Sequence, residues 1–264
     1  VRREFLASLR FVIVGGLDSA GRLWATARFG EPGFLHVVGD AAIRIEGRAP
    51  LADPLAGSLS PGAPIGLVAL ELSARHRLRI NGTVVESDDS GLTIATGEVF
   101  GNCPKYIQRR AVRGVASGGA GGGMVSTALG EDARRMIEEA DTFFLATRHA
   151  ERGVDVSHRG GQPGFVRVTS PRTLEWPDYS GNGMFLTLGN LAGDPSAGIL
   201  VVDFESGRTL HLTGSAIVDW SPERAAAHAG AERVVAFELD EARELVSGSP
   251  LRFDFLDESP FNPR

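Results

Sequence analysis

Gly198-Ile-Leu-Val-Val-Asp-Phe204, running on to Leu210-His-Leu-Thr-Gly214, decides the fold, because nearly the same sequence occurs earlier in the chain. Its counterpart lies 132 positions before it and reads Gly66-Leu-Val-Ala-Leu-Glu-Leu72, then Leu78-Arg-Ile-Asn-Gly82. A second pair, Gly30-Glu-Pro-Gly-Phe34 and Gly161-Gln-Pro-Gly-Phe165, is offset by 131 positions. Self-similarity at a fixed offset indicates a duplicated unit. Two copies of domain size predict two similar domains rather than a solenoid.

The boundary between the copies follows from a segment rich in Gly and Ser at residues 114–126. It matches no G-x-G-x-x-G pattern and follows no predicted strand, so we interpret it as a flexible tether rather than a phosphate-binding loop. The sequence therefore predicts a first domain at residues 1–113, a linker at 114–126 and a second domain at 127–264.

Both copies show the same order of predicted elements. Each opens with a helix, at residues 2–9 and 131–140, where apolar residues recur at helical spacing in the second copy. Short apolar runs separated by Gly/Pro turns follow, which is typical of a sandwich or barrel. In the second copy they predict strands at 153–157, 164–168, 173–176, 198–204 and 209–218, and short helices at 221–230 and 240–246. The predicted fold class is mainly β with a few helices, twice over.

Composition limits the classes of function. Hydrophobic content of 42% and charged content of 23% are those of a soluble globular protein, and no run approaches the roughly 20 apolar residues of a membrane helix. The net charge of -6 without a basic stripe argues against a nucleic-acid partner. A single cysteine, Cys103, fits a reducing, cytoplasmic compartment. The six histidines show no spacing of metal ligands, so no metal site is predicted.

The first candidate site surrounds the turn at residues 160–166. Ser157, His158, Arg159 and Arg167 flank this Gly/Pro segment. Hydroxyl, guanidinium and free backbone N–H groups suit a phosphate. The alternative is a plain hairpin with a solvated polar tip.

The second candidate is Trp176-Pro-Asp-Tyr-Ser-Gly-Asn-Gly183. Trp176 could line a slot for a ring, and Asp178 and Asn182 could bind hydroxyls or ring edges. The alternative is a polar turn beside a core tryptophan. At an offset of 131 these three residues fall on an isoleucine, a glycine and a leucine, whereas Arg159 falls on Arg28. The asymmetry predicts that the second copy holds the working site and that the first is scaffold.

A third candidate is Gly101-Asn-Cys-Pro-Lys-Tyr-Ile-Gln-Arg-Arg110, which we call the arm. It carries Lys105, the single lysine of a chain with 26 arginines. We expect the arm to reach across to the site in the second copy.

Together these motifs resemble the pyridoxamine 5'-phosphate oxidase-like family of flavin-nucleotide-binding proteins. The resemblance rests on D-V-S-H-R-G-G-Q-P-G-F-V-R-V at 155–168, W-P-D-Y-S-G-N at 176–182, T-L-G-N-L at 187–191 and G-N-C-P-K-Y-I-Q at 101–108. It implies two tandem FMN-binding split β-barrels that form a pseudo-dimer within one chain. It also implies FMN as the cofactor, held by Ser157, His158, Arg159, Arg167, Val168, Asp178, Asn182, Thr187 and Asn190, with Asn102, Lys105 and Gln108 added from the other barrel.

The resemblance implies an FMN-dependent oxidoreductase that acts on a small molecule or an electron-transfer partner. Members that oxidise pyridoxamine phosphate end with Arg-x-His, and this chain has Arg252-Phe-Asp254, so that activity is not predicted. A flavin carrier or sensor without turnover, or a barrel that has lost its flavin, are the alternatives. No catalytic acid or base is assigned, and pairing of two chains into a homodimer stays open.

Overall fold

The computed structural model describes residues 2–101, 103–116, 123–181 and 183–263. Within these ranges the chain is mainly β with four helices. The helices are α1 (Arg2–Ser8), α2 (Glu131–Glu139), α3 (Leu186–Gly193) and α4 (Pro222–Ala226). The strands of the first half are β1 (Phe11–Leu17), β2 (Leu23–Phe29), β3 (Leu35–Val38), β4 (Ala42–Glu46), β5 (Pro64–Glu71), β6 (His76–Asp88), β7 (Gly91–Gly101) and β8 (Arg109–Val115). The remaining strands are β9 (Gly123–Ser126), β10 (Thr142–His149), β11 (Gly153–Gly160), β12 (Arg167–Ser170), β13 (Thr173–Tyr179), β14 (Ser196–Val202), β15 (Thr209–Asp219), β16 (Ala231–Leu245) and β17 (Leu251–Asp257).

The two main sheets have the same strand order. The first runs β2-β1-β5-β6-β7-β4-β3 and the second β11-β10-β14-β15-β16-β13-β12, with β9 added beside β16. Every pairing is antiparallel, and β1 corresponds to β10, β2 to β11, and so on through β7 and β16. The sequence repeat is therefore a repeat of topology.

The structure has three apolar clusters, one in the core of each half and one between the halves, and alternation along the strands assigns residues to them. Val12 and Val14 of β1 enter the core of the first half, while Phe11 and Ile13 enter a central cluster between the halves. In β10 the residues of the second-half core, Phe143 and Leu145, alternate in the same way with Phe144 and Ala146 of the central cluster. Successive side chains of a strand point to opposite faces, so these strands are apolar on both sides and bind the two halves to each other.

Several predicted elements differ from those observed. Residues 240–245 are not a helix but the end of β16, which is paired with β15 on one side and β9 on the other. The pairing of β15 with β16 continues past a register shift between Thr213 and Gly214, and pairing on both sides outweighs the weak helical spacing of this segment. The predicted helix at 221–230 is limited to α4, the strand predicted at 164–168 begins at Arg167, and α3 was not predicted.

Both ends of the segment predicted as a linker belong to strands. Its first residues end β8, which pairs with β17, and its last residues form β9, which pairs with β16. Residues 117–122 of the predicted linker lie outside the described residues. None of the four helices seen in the described ranges is long and apolar enough to span a membrane.

Candidate functional site

A cavity of about 210 Å³ lies where the first half and the arm meet the second half. We call it the arginine cavity. Its lining comes from β6, the arm, β11, the end of β13, the turn after it, the start of α3 and the start of β16: Arg77, Arg79, Cys103, Tyr106, His158, Arg159, Gly160, Phe165, Pro177, Asp178, Tyr179, Ser180, Gly181, Gly183, Met184, Phe185, Thr187, Leu188, Glu232 and Arg233. Both halves of the chain are needed to build it.

The first half contributes two arginines at alternate positions of β6. Arg77 and Arg79 share one face of the strand, and each residue is more than 90% buried. Arg79 donates to Asp155 of β11 at 3.0 Å, so a buried ion pair ties the halves together beside the cavity. Arg77 has no carboxylate among its described partners: its Nη1 lies 3.0 Å from Nδ1 of His158 and its Nη2 lies 4.0 Å from the Cys103 sulfur. A buried guanidinium without a carboxylate is an incomplete arrangement, because a buried charge normally has a partner.

Arg77 is charged, and its charge helps to keep His158 neutral. Burial, together with repulsion from Arg79, lowers the pKa of Arg77 to about 10, so the guanidinium stays charged at neutral pH. Burial and the charge of Arg77 lower the pKa of His158 well below its usual value, so the imidazole is neutral. A neutral imidazole that accepts from Arg77 at Nδ1 carries its proton on Nε2. That Nε2 atom is buried and has no described partner, which leaves one donor available in the wall of the cavity.

A second network braces the other wall. Asp178 accepts from Arg159 at 2.8 Å through one oxygen and from Arg233 at 2.8 Å through the other. Asp178 and Arg233 are direct neighbours across β13 and β16, so the strand pairing sets this contact. Nε of Arg159 is buried without a described partner, so that guanidinium is not fully satisfied by Asp178.

Aromatic side chains surround the mouth. Phe185 is 53% exposed, and the Arg233 guanidinium lies 5.1 Å from its ring and 4.9 Å from the ring of Trp220. Tyr106 of the arm packs on Tyr179 with ring centroids 5.2 Å apart, and its hydroxyl donates to the Ser180 carbonyl at 2.8 Å. The expected crossing of the arm to the second half is thereby observed.

The charges of the lining favour an anion. Four arginines face the cavity against two carboxylates, Asp178 and Glu232, and Asp178 already accepts from two of the arginines. Arginine gives phosphates and carboxylates bidentate, charge-assisted hydrogen bonds. The arrangement can therefore hold a phosphate-like group against the buried guanidinium of Arg77.

The cavity includes some of the predicted site residues and not others. His158, Arg159, Asp178 and Thr187 line it, whereas Lys105 is not in the lining and donates to the carbonyl of Ser180, a lining residue, at 3.4 Å. Asn102 and Asn182 lie outside the described residues. Six other predicted residues do not line the cavity: Ser157, Arg167, Val168, Trp176, Asn190 and Gln108.

The reasons for these six differences are visible in the packing. Trp176 is fully buried in the core of the second half, 5.1 Å from Phe143 between ring centroids, because the strand predicted at 173–176 extends to Tyr179 and directs this side chain inward. Val168 belongs to the same core. The side chain of Gln108 is buried, where it donates to the Gly161 carbonyl at 3.0 Å and accepts from the Ser259 N–H at 2.7 Å.

The three remaining residues point elsewhere. Ser157 is fully buried, with its hydroxyl 3.4 Å from the Leu145 carbonyl. Asn190 donates to the Thr147 hydroxyl at 3.1 Å. Arg167 is exposed and donates to the Ala227 carbonyl at 3.2 Å. These contacts hold the scaffold rather than the cavity.

Sequence reasoning missed Arg77, Arg79 and Arg233. One signal was present: at an offset of 132, Arg77 and Arg79 fall on Thr209 and His211, so the repeat is asymmetric here too. Arg233 gave no such signal, since only the pairing of β13 with β16 brings it to Asp178.

The equivalent position in the first half is closed. Arg28, the repeat mate of Arg159, is buried and donates to Asp53 at 2.9 Å. Asp53 lies in the segment between β4 and β5, whose Leu55 and Leu59 are also buried. Both arginines thus have a carboxylate partner, but Asp178 is shared between Arg159 and Arg233, and Nε of Arg159 has no described partner.

No protein-family model and no curated protein matches the chain. Solved structures of pyridoxamine 5'-phosphate oxidase-like and FMN-binding proteins are each similar to somewhat less than half of this chain. HupZ of Group A Streptococcus is 15% identical over 46% of this chain and 98% of its own, with a TM-score of 0.38. A putative pyridoxamine 5'-phosphate oxidase of Lactobacillus delbrueckii is 17% identical over 44% and 94%, with a TM-score of 0.36. An FMN-binding protein of Syntrophomonas wolfei is 11% identical over 43% and 84%, with a TM-score of 0.33. Similarities of this extent carry no information on what this chain binds.

Among the residues with described positions, no three His, Cys, Asp or Glu side chains are grouped to hold a metal ion.

Proposed function

We propose that the chain is an FMN-binding flavoprotein and an oxidoreductase of the pyridoxamine 5'-phosphate oxidase-like type, with FMN in the arginine cavity. The observation that carries the proposal is Arg77, a buried guanidinium with no carboxylate partner among the described residues, in a cavity lined by residues of the motifs that resemble this family. In this proposal the two halves are split barrels that form a pseudo-dimer within one chain. Their shared strand order supports that part of it.

The lining fits one end of FMN better than the whole molecule. Sites for small molecules usually measure about 300–1,000 Å³, whereas this cavity measures about 210 Å³. A phosphate fits the enclosed part, where Arg77, Arg79 and Arg159 provide charge. Phe185 and the two tyrosines would offer apolar surface to the remainder of the cofactor.

Bound FMN would supply the hydride and electron chemistry, since the cofactor carries that chemistry in flavoproteins. The protein's residues bind and orient it. Asp178 holds Arg159 and Arg233 in place, and His158 offers an N–H whose proton is not lost or gained near neutral pH. The excess of arginine charge favours the more negative state of a ligand that gains electrons at this site.

The first experiment measures flavin binding by the full chain. We expect one FMN per chain, and weaker binding of riboflavin, which lacks the phosphate. Arg77→Met and Arg159→Ala should each weaken FMN about ten- to a hundredfold, because a charge-assisted contact contributes about 1.5–3 kcal/mol. Arg28→Ala is the matched control and should bind FMN like wild type. Two flavins per chain, or riboflavin bound as tightly as FMN, would contradict the proposal.

Turnover is tested separately from binding. With FMN bound under anaerobic conditions, addition of NADH or NADPH should bleach the flavin absorbance, and oxygen should restore it. A protein that binds one FMN and stays coloured with both donors would be a flavin carrier or sensor.

A further inference from the structure

A larger groove of about 510 Å³ lies on the second half and does not overlap the arginine cavity. We call it the α2 groove. It is bounded by α2, by the end of β14 with the turn after it, and by the paired strands β8 and β17. Its volume falls within the range of small-molecule sites, about 300–1,000 Å³. It has no repeat mate, because β8 follows the arm and Asp141 falls on Arg10 at an offset of 131.

The wall of the groove contains an ion pair in which one atom of each side chain has no partner among the described residues. Arg110 donates through Nη2 to Oδ2 of Asp141 at 2.6 Å, and the two side chains are 10% and 11% exposed. Nη1 of Arg110 and Oδ1 of Asp141 are buried and have no partner among the described residues. Leaving such a group unsatisfied costs about 1–3 kcal/mol. The pair therefore presents a donor and an acceptor that a ligand can satisfy.

Aromatic rings set the shape of the ligand. The Arg110 guanidinium lies 4.4 Å from the Phe204 ring centroid and 5.5 Å from that of Phe255. Phe204 is buried and fixes the guanidinium from behind, while Phe255 is 54% exposed. A planar ring can pack on Phe255 while its edge reaches the ion pair.

The charge of the groove separates it from the arginine cavity. Four arginines and six carboxylates line it, so a negatively charged ligand is disfavoured. The unsatisfied atoms call for a neutral group that has an N–H beside a C=O. An amide has this pattern.

We propose that the α2 groove binds a neutral planar ring that carries an amide, as a carboxamide or as a ring lactam. The amide N–H donates to Oδ1 of Asp141, and its carbonyl accepts from Nη1 of Arg110. The ring packs against Phe255. This site is separate from the flavin site and does not depend on the proposed function.

Saturation-transfer NMR with the full chain tests the site, using nicotinamide as the carboxamide and uracil as the lactam. Nicotinate is the matched negative probe, because it replaces the amide with a carboxylate. We expect transfer to nicotinamide, to uracil or to both, and none to nicotinate at equal concentration. A response to one alone identifies which form of amide the groove accepts. No transfer to either amide at millimolar concentration, or equal transfer to nicotinate, would overturn the proposal.

Variants locate the binding. Phe255→Ala should weaken binding of the probe about fivefold, since an aromatic contact contributes about 1 kcal/mol. Phe261→Ala removes a similarly exposed ring near Lys105 and should leave the affinity for the probe unchanged. Melting temperatures of both variants verify folding. Saturation with FMN should leave probe binding unchanged. Loss of probe binding with FMN, or an unchanged affinity in Phe255→Ala, would show that the probe binds elsewhere and would refute the assignment.

Discussion

His158 lies among arginines, and its environment excludes the charged imidazole. Burial is the largest cause of its lowered pKa, followed by the charges of Arg77 and Arg159. In the unfolded chain a histidine takes up a proton near pH 6.5. Between that pH and the lower pKa of the folded state, the unfolded chain binds more protons, so stability is present above pH 6.5 and is lost as the pH falls.

The prediction at this scale is that the free energy of unfolding of His158→Gln falls less steeply than that of wild type as the pH drops below 6.5. For each buried neutral histidine, the free energy of unfolding should fall by up to about 1.4 kcal/mol per pH unit below pH 6.5. Burial also lowers the pKa of His211, so part of the slope should remain in the variant. Denaturant titrations of wild type and variant at pH 7.5, 6.5 and 5.5 measure it. His36→Gln, at a partly exposed position, is the control. An unchanged slope in His158→Gln would mean that this imidazole is charged in the folded protein.

At the scale of elements, β2 and β11 carry the same arginine in two different settings. Arg28 of β2 forms a buried ion pair with Asp53, whereas Arg159 of β11 faces the arginine cavity and shares Asp178 with Arg233. Removing one member of a buried pair leaves the other charge uncompensated, whereas Asp178 keeps Arg233 when Arg159 is lost.

We therefore expect the two arginine variants to differ in kind. Arg28→Ala should lower the free energy of unfolding by about 3–5 kcal/mol and leave FMN affinity unchanged. Arg159→Ala should have a smaller effect on stability and a larger one on FMN. Denaturation and FMN titration of both variants separate the effects, and the double variant Arg28→Met with Asp53→Leu should recover most of the stability. Loss of FMN affinity in Arg28→Ala to the same degree as in Arg159→Ala would contradict the division between scaffold and site.

At the scale of the whole molecule, two glycines mark equivalent points of contact between the halves. A Cβ at Gly66 of β5 would lie 2.7 Å from the Val154 carbonyl oxygen, and one at Gly198 of β14 would lie 2.7 Å from the Leu23 carbonyl oxygen. The two positions are 132 residues apart and are repeat mates. Each strand meets the backbone of the other half so closely that no larger residue fits without a shift of the main chain.

Gly66→Ala and Gly198→Ala should each destabilise the protein by about 1–3 kcal/mol, the usual cost of an overpacked core. Because each pushes the halves apart, each should also weaken FMN binding at a site that both halves build. Gly101→Ala is the control, since a Cβ there meets nothing within 4 Å. Thermal unfolding and flavin titration give the comparison. Full stability in both variants would contradict a close approach of the two halves at these glycines.

The sequence by itself determined the features that depend on local pattern. The repeat offsets gave the duplicated topology, and the helical spacing of 131–140 gave α2. Of the residues that line the cavity, His158 and Arg159 were predicted from residue types that suit a phosphate, Asp178 from a polar segment, and Thr187 from the family resemblance. It also indicated that the arm crosses to the second half.

Only the tertiary structure decided which side chains meet. Strand pairing brings Arg233 to Asp178, and packing of β6 on the second half brings Arg77 to His158, across 55 and 81 residues of chain. The same pairing extended the strand predicted at 173–176 to Tyr179, with Trp176 in the core, and made residues 240–245 of a predicted helix the end of β16. The sequence of one segment shows the spacing of its apolar residues. Whether the segment becomes a strand, and which side chains it meets, depends on the strands that pair with it on each side. Those partners come from distant parts of the chain, and so the cavity is a property of the assembled halves.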